Sequence, residues 1–299
     1  MSLEIAIREI AEKLLVQAAT QLPVEVEEVI HLAEEKENDH TAKAQLQTIV
    51  RNLDIAKQKK LSICQDPGIP AFEVNIGSEF PLNVDFDSIF TAAVQKVARE
   101  LPLRQNVVHP LTKDNPGTNT GWGVPYIYYG YCYGRDYLEI TALLRGGGSA
   151  FRSGVVTLAP TMPRAEGVKK VVFDFVTMAG GIPCPPTTIG VGVGGNPDMA
   201  LNLAFKALKR LPPGRFHPDP AMAELEKDLF NALNKTGIGT MGLGGDTTVL
   251  AVHMECCGSH TASIPVAVAF SCWPNRFATA RFYKSGKIEW ITHRGENGD

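Results

Sequence analysis

The pattern of apolar residues changes character near Lys60, and that change limits the folds open to this chain. Before it, Leu3, Ile7, Ile10, Ala11, Leu14 and Ala18 recur at three- and four-residue steps, the period of an amphipathic helix. Pro23 suits the first turn of a second helix, with Val26, Val29, Ile30 and Ala33 on one face. The polar stretch 34–39 reads as a turn, and Leu46, Ile49, Val50 and Leu53 mark a third helix. After Lys60, residues 126–133 and 137–144 are aromatic, β-rich runs separated by Gly134-Arg135-Asp136, a hairpin signal. Residues 168–179 read as a helix and 187–193 as a glycine-spaced strand. Asn196 should cap a helix reaching about Leu211, and another helix is expected over 218–233. Strands at 247–252 and 262–270 and a hairpin over 281–291 complete the series. Helices and strands without regular alternation predict a mixed α/β (α+β) fold, with a helical N-terminal layer packed on a mixed-sheet domain. With no 20–50-residue repeat and no long linker, residues 1–299 read as one domain, 1–60 forming the layer and 61–299 the core.

Composition removes several classes of function. The formal net charge is −3 and the basic residues are scattered, so nothing points to nucleic acid or an anionic membrane. No apolar run approaches the roughly 18 residues of a membrane helix, and the N-terminus lacks the pattern of a signal peptide. A cytoplasmic protein is expected, with its six cysteines reduced.

Three of those cysteines lie far apart, each among residues that end regular structure: Cys64 before Gln65-Asp66-Pro67-Gly68, Cys184 between prolines, and Cys272 before Trp273-Pro274. None belongs to a Cys-x-x-Cys pair, so they can meet only through the fold. Zinc wants a fourth ligand in a structural site, or His and carboxylate company in a catalytic one. Cysteine ligation with one open position suits an iron–sulfur cluster better. Cys132, within an expected strand, and Cys256-Cys257, just after one, read as small core residues.

Polar residues near these cysteines suit a carboxylate ligand. Gln65 and Asp66 follow Cys64 directly, and Arg104 could grip a carboxylate bidentately, although a lone arginine is commonly a solvated charge. His109 and His260 are acid/base or orienting candidates, with a structural role as the plainer reading of each. Glycine clusters at 146–148, 190–195 and 237–245 read as tight turns or anion loops. The 190–195 run only superficially suggests a dinucleotide fingerprint, because no acidic residue ends a second strand about 20 residues on.

The ordered series carries more than any one motif. Cys64-Gln65-Asp66-x-Gly68, Arg104-x-Asn106 leading to His109-Pro110-Leu111-Thr112, Asn119-Thr120-Gly121 and Gly146-Gly147-Gly148-Ser149 come first. Cys184-Pro185-Pro186, the 190–195 glycines, Gly239-x-Met241-Gly242-Leu243-Gly244-Gly245 and Cys272-Trp273 follow in order. From about residue 60 to 280 the series resembles class I fumarate hydratases and the α subunits of L(+)-tartrate dehydratases. The resemblance implies a [4Fe–4S] cluster on Cys64, Cys184 and Cys272, with the fourth iron open to substrate and the enzyme sensitive to oxygen. It implies dicarboxylate contacts at Gln65, Asp66, Arg104 and the Gly146–Gly147 loop, and active-site roles for Asp66 and His260.

Two departures from the family pattern stand out. Pro67 occupies a position where the family usually carries Thr, and Ser259 precedes His260 where Arg is familiar. The single-chain enzymes of the family also continue into a C-terminal domain that supplies further arginines, a lysine and the proposed Thr base. Here the sequence ends at Asp299 after the polar stretch 294–298, so the resemblance implies an α subunit completed by a separate β subunit. The expected assembly is an α2β2 complex or an α homodimer. The expected reaction is reversible hydration of fumarate to L-malate, with L(+)-tartrate dehydration as the alternative and mesaconate a third substrate. From other classes, a cluster-free structural or regulatory paralogue and a zinc hydrolase remain as rivals.

Overall fold

The computed structural model describes residues 2–294; the polar stretch 295–299 lies outside the described residues. The chain runs α1 (Leu3–Thr20), α2 (Val24–Lys36), α3 (His40–Lys59), β1 (Ile69–Gly77), α4 (Phe86–Glu100), β2 (Tyr126–Cys132) and β3 (Tyr137–Arg145). It continues with α5 (Gly147–Ala150), β4 (Gly154–Leu158), α6 (Arg164–Ala179), β5 (Thr187–Gly195), α7 (Pro197–Ala207) and α8 (Pro220–Asn234). Strands β6 (Val249–Ser259), β7 (Ile264–Phe270), β8 (Phe277–Tyr283) and β9 (Ile288–Trp290) complete it. The mixed α/β class expected from the sequence is the class observed. Two compact units are present: one holds residues up to Val24, Asn52–Gly146 and those from Arg276 on, the other Glu25–Arg51 and Gly147–Asn275. The helical stretch 1–60 is thus shared between them.

The first unit is built on a five-stranded sheet ordered β2-β1-β3-β8-β9. Helix α1 buries Ile7, Ile10, Ala11, Leu14 and Ala18, the stripe its spacing implied, and Ser2 caps it by accepting from the Ile5 amide. Each fully buried Ile or Leu contributes about 1.5–3 kcal/mol, enough for one apolar face to fix the helix on its sheet. Helix α4 was not read from the sequence, although Asp85 caps it and Phe86, Ile89, Phe90, Ala93, Val94 and Val97 form its buried face. Both helices share one core with Phe72, Leu138 and Ile140.

The hairpin expected across Gly134-Arg135-Asp136 does not form. Strand β1 lies between β2 and β3, parallel to the first and antiparallel to the second. The connection passes the end of β1, where the Ser78 and Glu79 amides donate to the Cys132 and Arg135 carbonyls at 3.0 and 2.9 Å. Strand β1 carries Phe72 and Val74 fully into the core, whereas β2 leaves most of its tyrosines exposed. The more apolar strand therefore takes the central place and the aromatic one the edge. The expected 281–291 hairpin does form, as β8 with β9.

The second unit has a four-stranded sheet ordered β4-β7-β5-β6. Alternation along β7 separates its two faces. Val266 and Val268 join the core of α6 and α8, while Ala267 and Ala269 meet Ala200 and Ala204 of α7. Small residues let α7 approach closely, which explains the glycines of β5. A Cβ at Gly190 or Gly192 would press into the carbonyl oxygens of Ala204 and Ala200. The 190–195 run is therefore a strand packed under a helix and not an anion loop. Asn196 sits at the cap position of α7 without a side-chain cap bond, and the helix ends at Ala207 rather than near Leu211. Helix α2 runs through Lys36, so only residues 37–39 are left of the expected 34–39 turn. Cys256 and Cys257 lie inside β6 rather than after a strand, and Cys256 is exposed, so it does not act as a core residue.

A buried polar knot ties the chain after α7 to β6. Arg210 pairs with Glu226 at 2.6 Å and Glu255 at 2.9 Å, while Glu226 also accepts from the amides of Met254 and His217. His253 is fully buried, its Nδ1 3.1 Å from the Ala207 carbonyl and its Nε2 accepting from the Gly214 amide. Burial, aided by the Arg210 charge, pushes its pKa down to about 4. Among the described residues, no helix is long and apolar enough to cross a membrane.

Candidate active site

In the first unit, the segment after Cys64 turns because Asp66 closes it. Asp66 Oδ1 accepts from the Gly68 amide at 2.8 Å and from Asn106 Nδ2 at 2.6 Å. Arg276 Nη1 donates to the Asp66 carbonyl at 2.6 Å, Ser62 Oγ to the Cys64 carbonyl at 2.7 Å, and Asn52 Nδ2 to the Ile63 carbonyl at 2.8 Å. Gly68, at φ +77°, lies on the Arg145 backbone, where any Cβ would collide. Cys64 is half-buried and Gln65 exposed.

The same network reaches Arg104. Asn119, buried and at φ +54°, accepts from the Asn106 amide at 2.8 Å and donates to the Arg104 carbonyl at 3.1 Å. Asn106 and Asn119 thus hold the segment bearing exposed Arg104 beside Asp66. Pro67 is buried and borders a small apolar cleft with Leu15, Val94, Val97 and Leu103. The turn takes its amide donor from Gly68, so the N–H that proline lacks is not needed here.

In the second unit, three of the features marked in the sequence come together. The Trp273 amide donates to the Cys184 carbonyl at 3.1 Å, which ties the Cys184 turn to the residue after Cys272. Cys272 Sγ donates to Ser149 Oγ at 3.4 Å, and a Cβ at Gly148 would lie 2.7 Å from the Ile182 carbonyl. The stretch from half-buried Gly147 to Ser149 thus reaches both cysteine turns within this unit through Gly148 and Ser149, and buried Gly146 precedes it in the chain. Cys184 has φ +56°, a left-handed conformation that costs a non-glycine residue about 1–2 kcal/mol and persists only where the surroundings hold it. Both cysteines are half-buried, and none of the six in the chain forms a disulfide.

The two histidines differ in placement. His260 is exposed in the turn between β6 and β7, and its Nδ1 accepts from the Ala262 amide at 3.1 Å. A neutral His260 ring therefore carries its proton on Nε2. His109 Nδ1 accepts from the Leu111 and Thr112 amides at 3.3 and 3.1 Å, a turn-forming role. Sequence reasoning did not single out Arg276, and it marked Ser149 only as the end of the 146–149 motif. Arg276 is 4% exposed and its Nε has no hydrogen-bond partner, yet no local pattern distinguishes it from a surface arginine. Among the described residues, no three His, Cys, Asp or Glu side chains are grouped to hold a single metal ion.

Comparison with known proteins decides the family. The fumarate hydratase (Fumerase) family model matches residues 8–281. The chain belongs to the fumarate hydratase family. Family membership makes it a hydro-lyase component. A Methanocaldococcus jannaschii protein provisionally named an L(+)-tartrate dehydratase subunit alpha is 39% identical over 289 residues, covering 94% of this chain and 99% of the relative. The L(+)-tartrate dehydratase subunit alpha of Escherichia coli K12 is 34% identical over 285 residues, covering 95% and 93% respectively. The Escherichia coli UTI89 protein of the same name matches equally.

Proposed function

We propose that this chain is the α subunit of a [4Fe–4S]-dependent hydro-lyase that hydrates fumarate reversibly to L-malate. L(+)-tartrate dehydration is the second reading, favoured by the names of the relatives. The observation that carries the proposal is the joining of the Cys184 turn, the Cys272 turn and the Gly147–Ser149 stretch within one unit of a fumarate hydratase family member. Cys64, Cys184 and Cys272 would supply three thiolates, and half-buried thiols free of disulfides on turns fit a cluster in donor chemistry. When bound, such a cluster supplies a Lewis-acidic iron with an open coordination position.

This chain's own residues would bind and orient the substrate. Gln65 offers an amide donor and Arg104 a fork of N–H groups to the carboxylates. Gly146 and Gly147 add main-chain groups. Asp66 is oriented by Gly68 and Asn106, and exposed His260 can present an Nε2 proton. The remaining groups, including the base, are assigned to a β subunit, in keeping with the "subunit alpha" names of the relatives. We place the protein in the cytoplasm, where cysteines free of disulfides are the rule.

Anaerobic reconstitution with iron and sulfide tests the cluster. Wild type should develop the iron–sulfur absorbance, while Cys64→Ser, Cys184→Ser and Cys272→Ser should each lose iron; full retention in all three would overturn the ligand assignment, and zinc without sulfide would favour a zinc enzyme. Co-expression with a β subunit, assayed without oxygen on fumarate, L(+)-tartrate and mesaconate, ranks the substrates. A lone chain as active as the pair would sink the two-subunit reading.

A further inference from the structure

Glu37 is a buried carboxylate, 2% exposed, that the proposed chemistry does not use. Its Oε1 accepts from the amides of Asn38 and Asp39 at 3.1 Å each and of Asp246 at 2.9 Å. Its Oε2 accepts from the amides of Asp246 and Thr247 at 3.1 Å each. Asn38 Nδ2 adds a bond of 2.8 Å to Asp246 Oδ2. A carboxylate taken from water needs donors to replace its hydration, and the main chain of residues 246–247 supplies part of that shell. Gly245 is glycine for the same reason: a Cβ there would meet Ala42 Cβ and both carboxylate oxygens of Glu37.

The held segment is the foot of the glycine loop 239–245, whose motif the substrate-binding reading leaves without a task. The loop folds on itself, with the Gly242 amide donating to the Gly239 carbonyl at 3.0 Å and the Gly244 amide to the Ile238 carbonyl at 2.9 Å. Its tip rests on the Cys184 turn. The Met241 amide donates to the Pro185 carbonyl at 2.7 Å, and a Cβ on Gly242 would lie 2.5 Å from the Gly181 Cα. Cys184 and Met241 are both held at φ +56°, so the turn and the tip that covers it brace each other in a conformation neither would adopt alone.

We infer that Glu37 is a positioning residue for Cys184: it anchors the foot of the 239–247 loop, and the loop tip clamps the Gly181–Pro186 turn. The functional weight of this inference rests on Cys184 as a cluster ligand; its geometry does not. The test is alkylation of the unreconstituted full-length chain by iodoacetamide, followed cysteine by cysteine by mass spectrometry.

Removing charge-assisted bonds at a buried anchor promotes local opening, so Glu37→Gln should speed Cys184 alkylation by about fivefold or more while Cys64 stays within about twofold. Gly242→Ala leaves Glu37 intact and should give the same selectivity from the other end of the loop. Should Glu37→Gln not be recovered folded, Glu37→Asp, which keeps the charge one methylene short, carries the same expectation. Cys184 reacting at the wild-type rate, or Cys184 and Cys64 accelerating together, would overturn the inference. Iron–sulfide reconstitution separates the two readings. If Cys184→Ser keeps the full cluster while the alkylation selectivity holds, the positioning survives and the ligand role fails; if Cys184 is needed for iron but ignores Glu37, the positioning fails.

Discussion

The turn after Cys64 is held by side chains, whereas the turn around Cys184 is held by main-chain amides and by glycines in direct contact. Asp66, Asn106, Arg276, Ser62 and Asn52 bind the first through specific polar atoms. Met241 and Trp273 bind the second through their N–H groups, and Gly181 and Gly242 pack so closely that a Cβ on Gly242 would overlap the Gly181 Cα. Side-chain anchoring can be removed one bond at a time. Glycine contact admits no intermediate state, because the smallest possible addition already overlaps. The first turn should therefore degrade gradually under mutation, and the second should fail at once.

Gly242→Ala should have the largest effect. It combines a left-handed φ of +74° with overlap against Gly181, for a cost of about 2–5 kcal/mol in chemical denaturation. A stability within error of wild type would remove the distinction between the two turns.

Acid should act on the unit that carries Cys184. His253 is neutral when folded, with a pKa of about 4 against an ordinary 6.5. Below 6.5 the unfolded chain takes up a proton that the folded protein refuses, so stability falls as pH drops from 6.5 towards 4. The full loss is on the order of 3 kcal/mol, and His253→Gln should flatten this slope in melts across that range. An unchanged slope would show that His253 is protonated in place.

Arg276→Met should cost about 2 kcal/mol, the loss of a charged donor from a buried carbonyl, and should speed alkylation of Cys64 rather than Cys184. Asn106→Ala should act in the same direction but less, about 1 kcal/mol, because Asp66 keeps its bond from the Gly68 amide. Ser149→Ala, which removes the hydroxyl beside Cys272 Sγ, should be smallest, below about 1 kcal/mol and visible mainly in the Cys272 alkylation rate. A reversed order between Arg276→Met and Ser149→Ala would show that the side-chain network around Asp66 contributes little.

Periodicity made α1, α2, α3 and α6 legible in the sequence, because a buried stripe repeats every three to four residues whatever it packs against. The β8–β9 hairpin was legible because its partners are adjacent in the chain. Strand β1 and helix α4 were overlooked, although the Asp85 cap and the Phe86–Val97 apolar stripe were there to read. The expected β2–β3 hairpin failed for another reason: local turn signals do not show that a strand from 50 residues earlier will insert between the two. The motif series pointed to the family, which the family match over residues 8–281 bears out. It did not reveal why Asn106, Asn119 and Gly245 are present, since their partners are remote in sequence.

The residues of this chain, read alone, determined its mixed α/β class, its apolar helix faces and its membership of the fumarate hydratase family. These follow from side-chain chemistry repeated or ordered along the chain. Only tertiary structure decided that β1 separates β2 from β3, that the glycines of β5 admit α7, and that Glu37 and Arg276 serve two different cysteine turns. Each of these depends on atoms brought together from distant positions, where burial turns an ordinary charge or a missing methyl group into a constraint.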